Sequence, residues 1–415
     1  MKINHNISGY LLSVLTCSAV LISYKCENKK SEQNEYRNGQ IQPLTKNWEK
    51  AIPNQEIPEG LESLSASECG DCHDEIYREW QGSNHAIALQ DLQFQAEWAK
   101  DDSLWVCLNC HTPLQNQQES IILGKQGGDY FKPVKQSNPH FDHELKEESI
   151  TCAVCYVRNG AVIGMQGHQA ESPHAVKKDP NFLSYKFCLT CHNITDDLTS
   201  TLVCSFQSGD EWAQSPYPEA GRDCISCHMP DVYRPLTAEG KARHTRRHTW
   251  IGSAIPKFPG GDNIVCGYKS GLDVVVYSSP ELIAAEDSAF LTVSVTNQIA
   301  GHYIPTGDPE YFLTIDLHLI NEDEITIKET TFKIGQEWEW WPEARKLSDN
   351  RLKTLEQRNY IFAVKTPAVL ENLYWQVVIT SHRMTVENAT FMGLLGKYPI
   401  KAIIYQRKIQ LSGDG

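Results

Sequence analysis

Cys69-Gly-Asp-Cys72-His73 recurs as Cys107-Leu-Asn-Cys110-His111, Cys188-Leu-Thr-Cys191-His192 and Cys224-Ile-Ser-Cys227-His228, and once with a different last residue, as Cys152-Ala-Val-Cys155-Tyr156. These five pairs hold ten of the chain's 14 cysteines. Only 15 of 415 residues are histidine, so four hits in five at one fixed offset would arise by chance on the order of once in 10⁵. The spacing has a geometric basis, because positions i, i+3 and i+4 share one face of a helical turn. Two thiols can then form thioethers to a porphyrin edge while the imidazole reaches the iron from one side, the pattern of c-type haem attachment. A zinc ribbon also repeats C-x-x-C, but it does not require a histidine directly after the second cysteine, and plain disulfides require none.

Successive pairs begin 38, 45, 36 and 36 residues apart. Each attachment site thus has too little chain for a core of its own, and the porphyrins must supply much of the buried apolar surface. Short helices at the attachment sites, joined by long irregular connections, are expected over residues 61–260. Hydrophobic residues make up 40 % of the chain and charged residues 22 %, which excludes a fibrous or wholly disordered protein. The formal charge of −14, from 38 basic and 52 acidic residues, is the opposite of a nucleic-acid binder's basic footprint.

Only one apolar stretch is long enough to suggest a membrane, and it lies at the start, from Ile7 to about Ile22. Ser8, Gly9, Ser13, Thr16 and Ser18 dilute it, and it reads as a secretory leader over residues 1–26. Cys26 at the junction suggests a lipid-anchored bacterial lipoprotein, although Ser23-Tyr24-Lys25 makes a poor lipobox; an uncleaved anchor helix is the alternative. Both place the body of the chain outside the cytoplasm, in a bacterial periplasm or cell envelope. Residues 27–60, polar and carrying Pro43, Pro53 and Pro58, read as a tether.

Continuing from Cys69-Gly-Asp-Cys72-His73 through Trp80-Gln-Gly-Ser-Asn-His85, the chain resembles the cytochrome c-554-like group of periplasmic multihaem cytochromes. Cys188–His192 and Cys224-Ile-Ser-Cys227-His228-Met-Pro resemble later attachment sites of that group. Gly301-His302-Tyr-Ile-Pro-Thr-Gly307 resembles a loop of the β domains fused to such proteins. The resemblance spans about residues 65–310, and Tyr156 departs from it where the family has histidine. It implies that His85 ligates the iron of a neighbouring haem and that His174 stands at a ligand position.

A low-spin haem needs a second axial ligand, and the residues leave several candidates: His85, His174 with His168 as its competitor, His248 and His244, and His302. His248 is preferred to His244 because Trp250, two residues on, could pack on a porphyrin. Arg243, Arg246 and Arg247 could pair with haem propionates, or form a solvated basic loop. His140 and His143 stay open, while His318 and His382 read as ordinary surface residues. The proximal ligands are His73, His111, His192 and His228.

The third pair faces a phenol, which is an axial ligand in catalase. Attachment machinery generally recognises histidine, however, so Cys152 and Cys155 are expected to lack haem and to be able to close on each other. The expected cofactor is therefore haem c in four covalent copies, with five the alternative.

From about residue 270 period-2 patterns begin. Leu291, Val293 and Val295 alternate with Thr292 and Ser294, and Leu313, Ile315, Leu317 and Leu319 alternate with Thr314, Asp316 and His318. Tyr374–Ile379 and Ile400–Tyr405 are further strand candidates. An antiparallel β-sandwich over 261–415 is expected, giving an α+β chain whose helical and irregular multihaem module precedes it. Trp338, Trp340 and Trp341 are read as packing the sandwich against the haem module, ahead of a carbohydrate or partner platform. Cys204 and Cys266 are left to pair with each other or to stay free.

The reading is an exported electron relay between redox partner proteins or quinol-linked donors, with a membrane anchor or cytochrome oligomer compatible with it. The rival is an oxidoreductase acting on a small nitrogen compound at one open-coordination haem. A third class is a structural protein whose haems staple a small core, or a filament subunit.

Overall fold

A computed structural model describes residues 40–165, 167, 172–179, 184–257, 269–279, 285–368 and 372–411. The expected leader, His168 and Cys266 lie outside the described residues. Among the described residues, no helix is long and apolar enough to cross a membrane.

The first half is built of short helices, as the attachment spacing requires. Four motifs lie wholly inside helices: Trp105–His111, Cys152–Tyr156, Tyr185–His192 and Cys224–His228. In the first motif Cys69 lies in the last turn of the helix Ala66–Gly70, and His73 caps the next, Asp74–Gln81. Side chains satisfy the orphan amides at two of these starts: Ser65 accepts from the Ser67 amide and Asp223 from the Ser226 amide. Helices of five to eight residues are not stable alone. The apolar clusters around them are small; one joins Leu64, Leu114, Leu145, Ala153, Val154 and Val157.

Small sheets tie these helices together. Strands β1 (Ile41–Gln42), β2 (Ser120–Gln126) and β3 (Pro133–Ser137) form one, and β4 (Val157–Arg158), β5 (Ala161–Gly164) and β6 (Val176–Lys178) another. The hairpins β7 (Asn193–Asp197) with β8 (Val203–Gln207) and β9 (Asp231–Pro235) with β10 (Ala242–Arg246) follow the last two motifs.

The expected tether is shorter than its composition suggests. Ile41 and Gln42 pair with β2, Ile52 bridges to Leu114, and the buried Glu49 carboxylate accepts from Lys125 and from the Tyr130 hydroxyl at 2.8 Å. Residues 40–60 are therefore part of the haem module. Their polar composition misled because the anchoring is by backbone pairing and one buried ion pair, not by an apolar run.

The second half is the expected sandwich. β11 (Leu272–Ser279), β12 (Ser288–Asn297) and β16 (Gln357–Lys365) form an antiparallel sheet in the order β11-β12-β16. β13 (Phe312–Ile320), β14 (Thr326–Glu339), β15 (Arg345–Asp349), β17 (Tyr374–His382) and β18 (Lys401–Gln410) form the second, in the order β15-β14-β13-β17-β18. One core joins them, with Leu291, Ile315, Leu317, Leu319, Ile334, Trp375 and Ile379 fully buried. Burial of each large aliphatic side chain is worth roughly 1.5–3 kcal/mol. The alternation is clean in β13, where Thr314, Asp316 and His318 face outward, but not in β12, where Thr292 and Ser294 are also buried.

A nearly buried carboxylate joins the helix Asp74–Gln81 to the β9–β10 hairpin. Arg234 grips Glu79 bidentately at 2.7 and 2.8 Å, Arg247 donates at 2.6 Å and the His248 amide at 2.8 Å. Burial alone would raise the Glu79 pKa, but these donors outweigh it and hold the carboxyl below its usual range. Arg247 is thus engaged by Glu79, not available to a propionate. Glu79→Ala should cost about 1–3 kcal/mol, because it leaves the buried Arg234 with only the half-exposed Glu75, 2.9 Å away, as its anion. Urea denaturation of the holoprotein checks this, with haem content by mass expected to be unchanged.

Candidate haem site

All five motifs face one continuous cavity of about 3270 Å³ that runs through the first half and reaches the sandwich. It is lined by the ten paired cysteines, by His73, His111, Tyr156, His192 and His228, and by His85, His174, His244, His248 and His302. His140 and His143 are exposed and lie off it. Thiols of different motifs lie close enough to perturb one another: Cys69 with Cys152, Cys110 with Cys191, and Cys188 with Cys224.

The imidazoles are prepared for a metal. His73 Nδ1 lies 2.9 Å from the Leu236 carbonyl, His111 Nδ1 2.6 Å from Ala88 O, and His228 Nδ1 3.2 Å from Ile251 O. A carbonyl can only accept, so Nδ1 carries the proton and Nε2 keeps the lone pair. Burial also favours the neutral ring at His111 and His85: it pushes His111 down to about 4 and, with the nearby His192 and His228, His85 to about 3. His192, His228 and His302 are lowered by burial too. Phe94 stacks on His111 at 3.5 Å between ring centres and fixes its plane.

Two pairs of rings stand at a telling separation. His85 and His192 have centroids 6.4 Å apart, and His228 and His302 6.3 Å apart with planes inclined by 12°. Two metal–imidazole bonds of about 2 Å, plus about 1.1 Å from each nitrogen to its ring centre, require roughly 6.3 Å. The residues present therefore fit haem by four criteria: thiol spacing, tautomer, ring separation and a cavity that protein side chains leave unfilled. Haem, when bound, supplies a one-electron ferric/ferrous couple.

The third site differs. The Tyr156 hydroxyl lies 2.9 Å from His248 Nε2, whereas an iron between them would need roughly 4 Å for its two bonds. The phenol reaches into the space where the metal would stand. His248 is 6 % exposed and its Nδ1 donates to Arg246 O at 2.9 Å. Trp250 meets it edge-on at 5.2 Å and meets His85 at 4.6 Å, so this indole packs on both imidazoles. His244 is solvent-facing and bonded to Asp231 at 2.7 Å.

Residues 68–156 match the family model described as cytochrome c554 and c-prime. A solved structure of a penta-heme cytochrome c552 from Thermochromatium tepidum superposes with a TM-score of 0.60 at 15 % identity, covering 85 % of this chain and all of that one. The chain has the fold of a multihaem c-type cytochrome. The CARDB domain of PF1109 from Pyrococcus furiosus also aligns, at 13 % identity over 34 % of this chain and 95 % of its own, with a TM-score of 0.17. No curated protein matches the sequence.

Several residues of the site were invisible to motif reading. His382, expected on the surface, is half-buried, stacked on Phe312 at 4.4 Å and bonded to Thr314 at 3.1 Å. Of the tryptophans, Trp340 reaches the cavity while Trp341 is exposed, and Trp338 and Trp340 stack at 5.0 Å. Cys204, free on β8, also lines the cavity. One turn beyond Phe94, Glu97 shares the cavity wall with Asp308 and Glu310, which follow directly on the Gly301–Gly307 loop. Burial, then the neighbouring Asp308, raises Glu97 from 4.5 to about 8. Burial and Asp308 likewise raise Glu310 to about 7.

Because the folded chain holds the Glu97 proton more tightly than the unfolded one, the associated stability is complete below 4.5 and is lost as pH rises through about 8. Glu97→Gln should therefore flatten the fall in unfolding free energy between about pH 5 and pH 8. Urea titrations across that range test it; an unaltered slope would mean that Glu97 ionises normally.

Proposed function

We propose that this cytochrome is an exported electron relay. Its haems are held at His73, His111, His192 and His228, and His85 and His302 supply the sixth ligands opposite His192 and His228. The observation that carries the reading is the pair of imidazole couples at 6.4 and 6.3 Å, since a six-coordinate iron exchanges electrons without offering a substrate site. The thiol contacts support close spacing, because they bring the attachment site of each member of a pair against the next. Export follows from the leader-like residues 1–26 and from the compartment in which c-type attachment takes place. Redox proteins or quinol-linked donors are the expected partners, with an anchor at the N terminus.

The protein's own part is to fix ring planes, tautomers and spacing. Carbonyls of Leu236, Ala88 and Ile251 orient the proximal imidazoles, and Phe94 and Trp250 hold ring planes. The Thermochromatium protein is named for five haems; here four are proposed, because Tyr156 fills the metal position of the third site.

Intact mass spectrometry of the mature chain should give four haem masses, and Tyr156→His should add a fifth; five in the unaltered protein would refute the count. His85→Ala should keep the haem number and convert one haem to high spin. The relay reading also predicts rapid reduction and oxidation by small mediators without steady turnover of nitrite or hydroxylamine. Sustained turnover of either would favour the enzyme reading.

A further inference from the structure

His302 belongs to the sandwich, while the haem it faces is attached to the other module at Cys224 and Cys227. Something must hold this loop residue in place against its conformational entropy. The contacts that do so converge on one carboxylate. Glu211, on the helix Ser208–Ala213, accepts from the Tyr303 amide at 3.1 Å and from the Thr306 hydroxyl at 2.6 Å through Oε2. Its Oε1 accepts from Arg351. Arg351 in turn is gripped by Asp349 at 2.9 Å and lies over the Tyr303 ring at 5.3 Å. The side chains of Glu211 and Arg351 are only 3 % and 4 % exposed.

The residue before His302 is also seated on the haem module. A Cβ at Gly301 would lie 3.0 Å from the Tyr217 ring and 3.2 Å from that of Trp212, so a side chain here would press on both rings. From the sandwich side, the Asn297 amide donates to the His302 carbonyl at 2.8 Å. The residues flanking His302 are thus held by Glu211 and by the aromatic rings of the opposite module.

We propose that Glu211 and Arg351 are a positioning pair that seats His302 opposite His228, so that sixth-ligand binding at that haem depends on docking of the sandwich. This rests on the reading of His228 and His302 as one axial pair. The physical reason is the burial of the pair. Removing Arg351 leaves the Glu211 carboxylate in a low-dielectric setting without its countercharge. Relief comes when the loop withdraws and water reaches Glu211, and withdrawal carries His302 away from the iron. A purely structural ion pair would lower stability without touching the haem.

The test uses the full holoprotein and reads the iron. Arg351→Met should keep the haem mass count, convert one low-spin haem to high spin in the ferric spectrum, and gain one equivalent of bound cyanide. Arg351→Lys, which keeps the charge, should restore most of the low-spin signal. Glu211→Ala removes the acceptor of the Tyr303 amide and the Thr306 hydroxyl as well as the countercharge of Arg351, and should show the same high-spin signature; it decides the matter if Arg351→Met yields no holoprotein. His302→Ala is the reference, expected to open the same haem. If His302→Ala opens a haem but both Arg351→Met and Glu211→Ala remain fully low-spin, the positioning role is overturned while the axial pair stands. If His302→Ala leaves the spectrum unchanged, the axial pair itself fails and the proposal with it.

Discussion

The first half of this chain depends on covalent attachment, because it has no adequate protein core. Its helices are five to nine residues long and its apolar clusters contain a handful of side chains. The sandwich encloses twenty buried residues in one continuous cluster. A large internal cavity lined by apolar groups would ordinarily collapse or fill with water. Here it is bordered by ten thiols on short helices, and bound porphyrins replace the missing apolar contacts. The four attachment helices that carry histidine need not be stable alone, since haem bound there would fix each at two points to a rigid ring.

Given that scaffold, the polar interior serves mainly to set positions. Glu49, Glu79, Glu211 and Asp91 are buried carboxylates in different parts of the molecule, and each is engaged by a cation. Buried ion pairs contribute little net stability, because desolvation offsets the attraction, but losing one partner is expensive. They therefore penalise wrong packing more than they reward the right one. Asp91 illustrates this: it binds Lys257 and accepts from the Tyr398 hydroxyl at 2.6 Å, so one side chain of the haem module fixes its orientation against the sandwich. Arg383 does the same from the other direction, donating to the carbonyls of Ile255 and Pro256 at 2.5 and 2.9 Å.

What could be read from the residues follows the range of the interactions involved. Thioether attachment needs two cysteines and a histidine within one helical turn, so the chemistry is written in five consecutive residues. The strands of the sandwich are legible for a similar reason in β13, where one face is buried and the period is two. They are less so in β12, whose Thr292 and Ser294 lie inside. Distal ligation has no such local code: His302 reaches His228, and His85 reaches His192, only through the folded chain. Family resemblance marked His85, while Glu79, Glu211 and Arg351 carried no signal, since a lone charged residue is usually solvated. Asp308 and Glu310 could have been suspected from their place beside the Gly301–Gly307 loop.

The tyrosine at the third site stands where the attachment sites are linked by side-chain contacts. The thiol contacts alone divide the sites into two groups, the first with the third, and the second with the fourth and fifth. Without a metal at the third site, the first group would join the second only through protein. The aromatic contacts run across that gap: Tyr156 is bonded to His248, Trp250 meets both His248 and His85, and His85 faces His192. Each step is a ring contact or a hydrogen bond, and the residues concerned are held by Glu79 through the His248 amide. A phenol at Tyr156 preserves that continuity, because its hydroxyl keeps His248 bonded and in place. An aliphatic residue there would leave the His248 Nε2 buried without a partner, at a cost of about 1–3 kcal/mol, with the ring then held only through its Nδ1 bond to the Arg246 carbonyl.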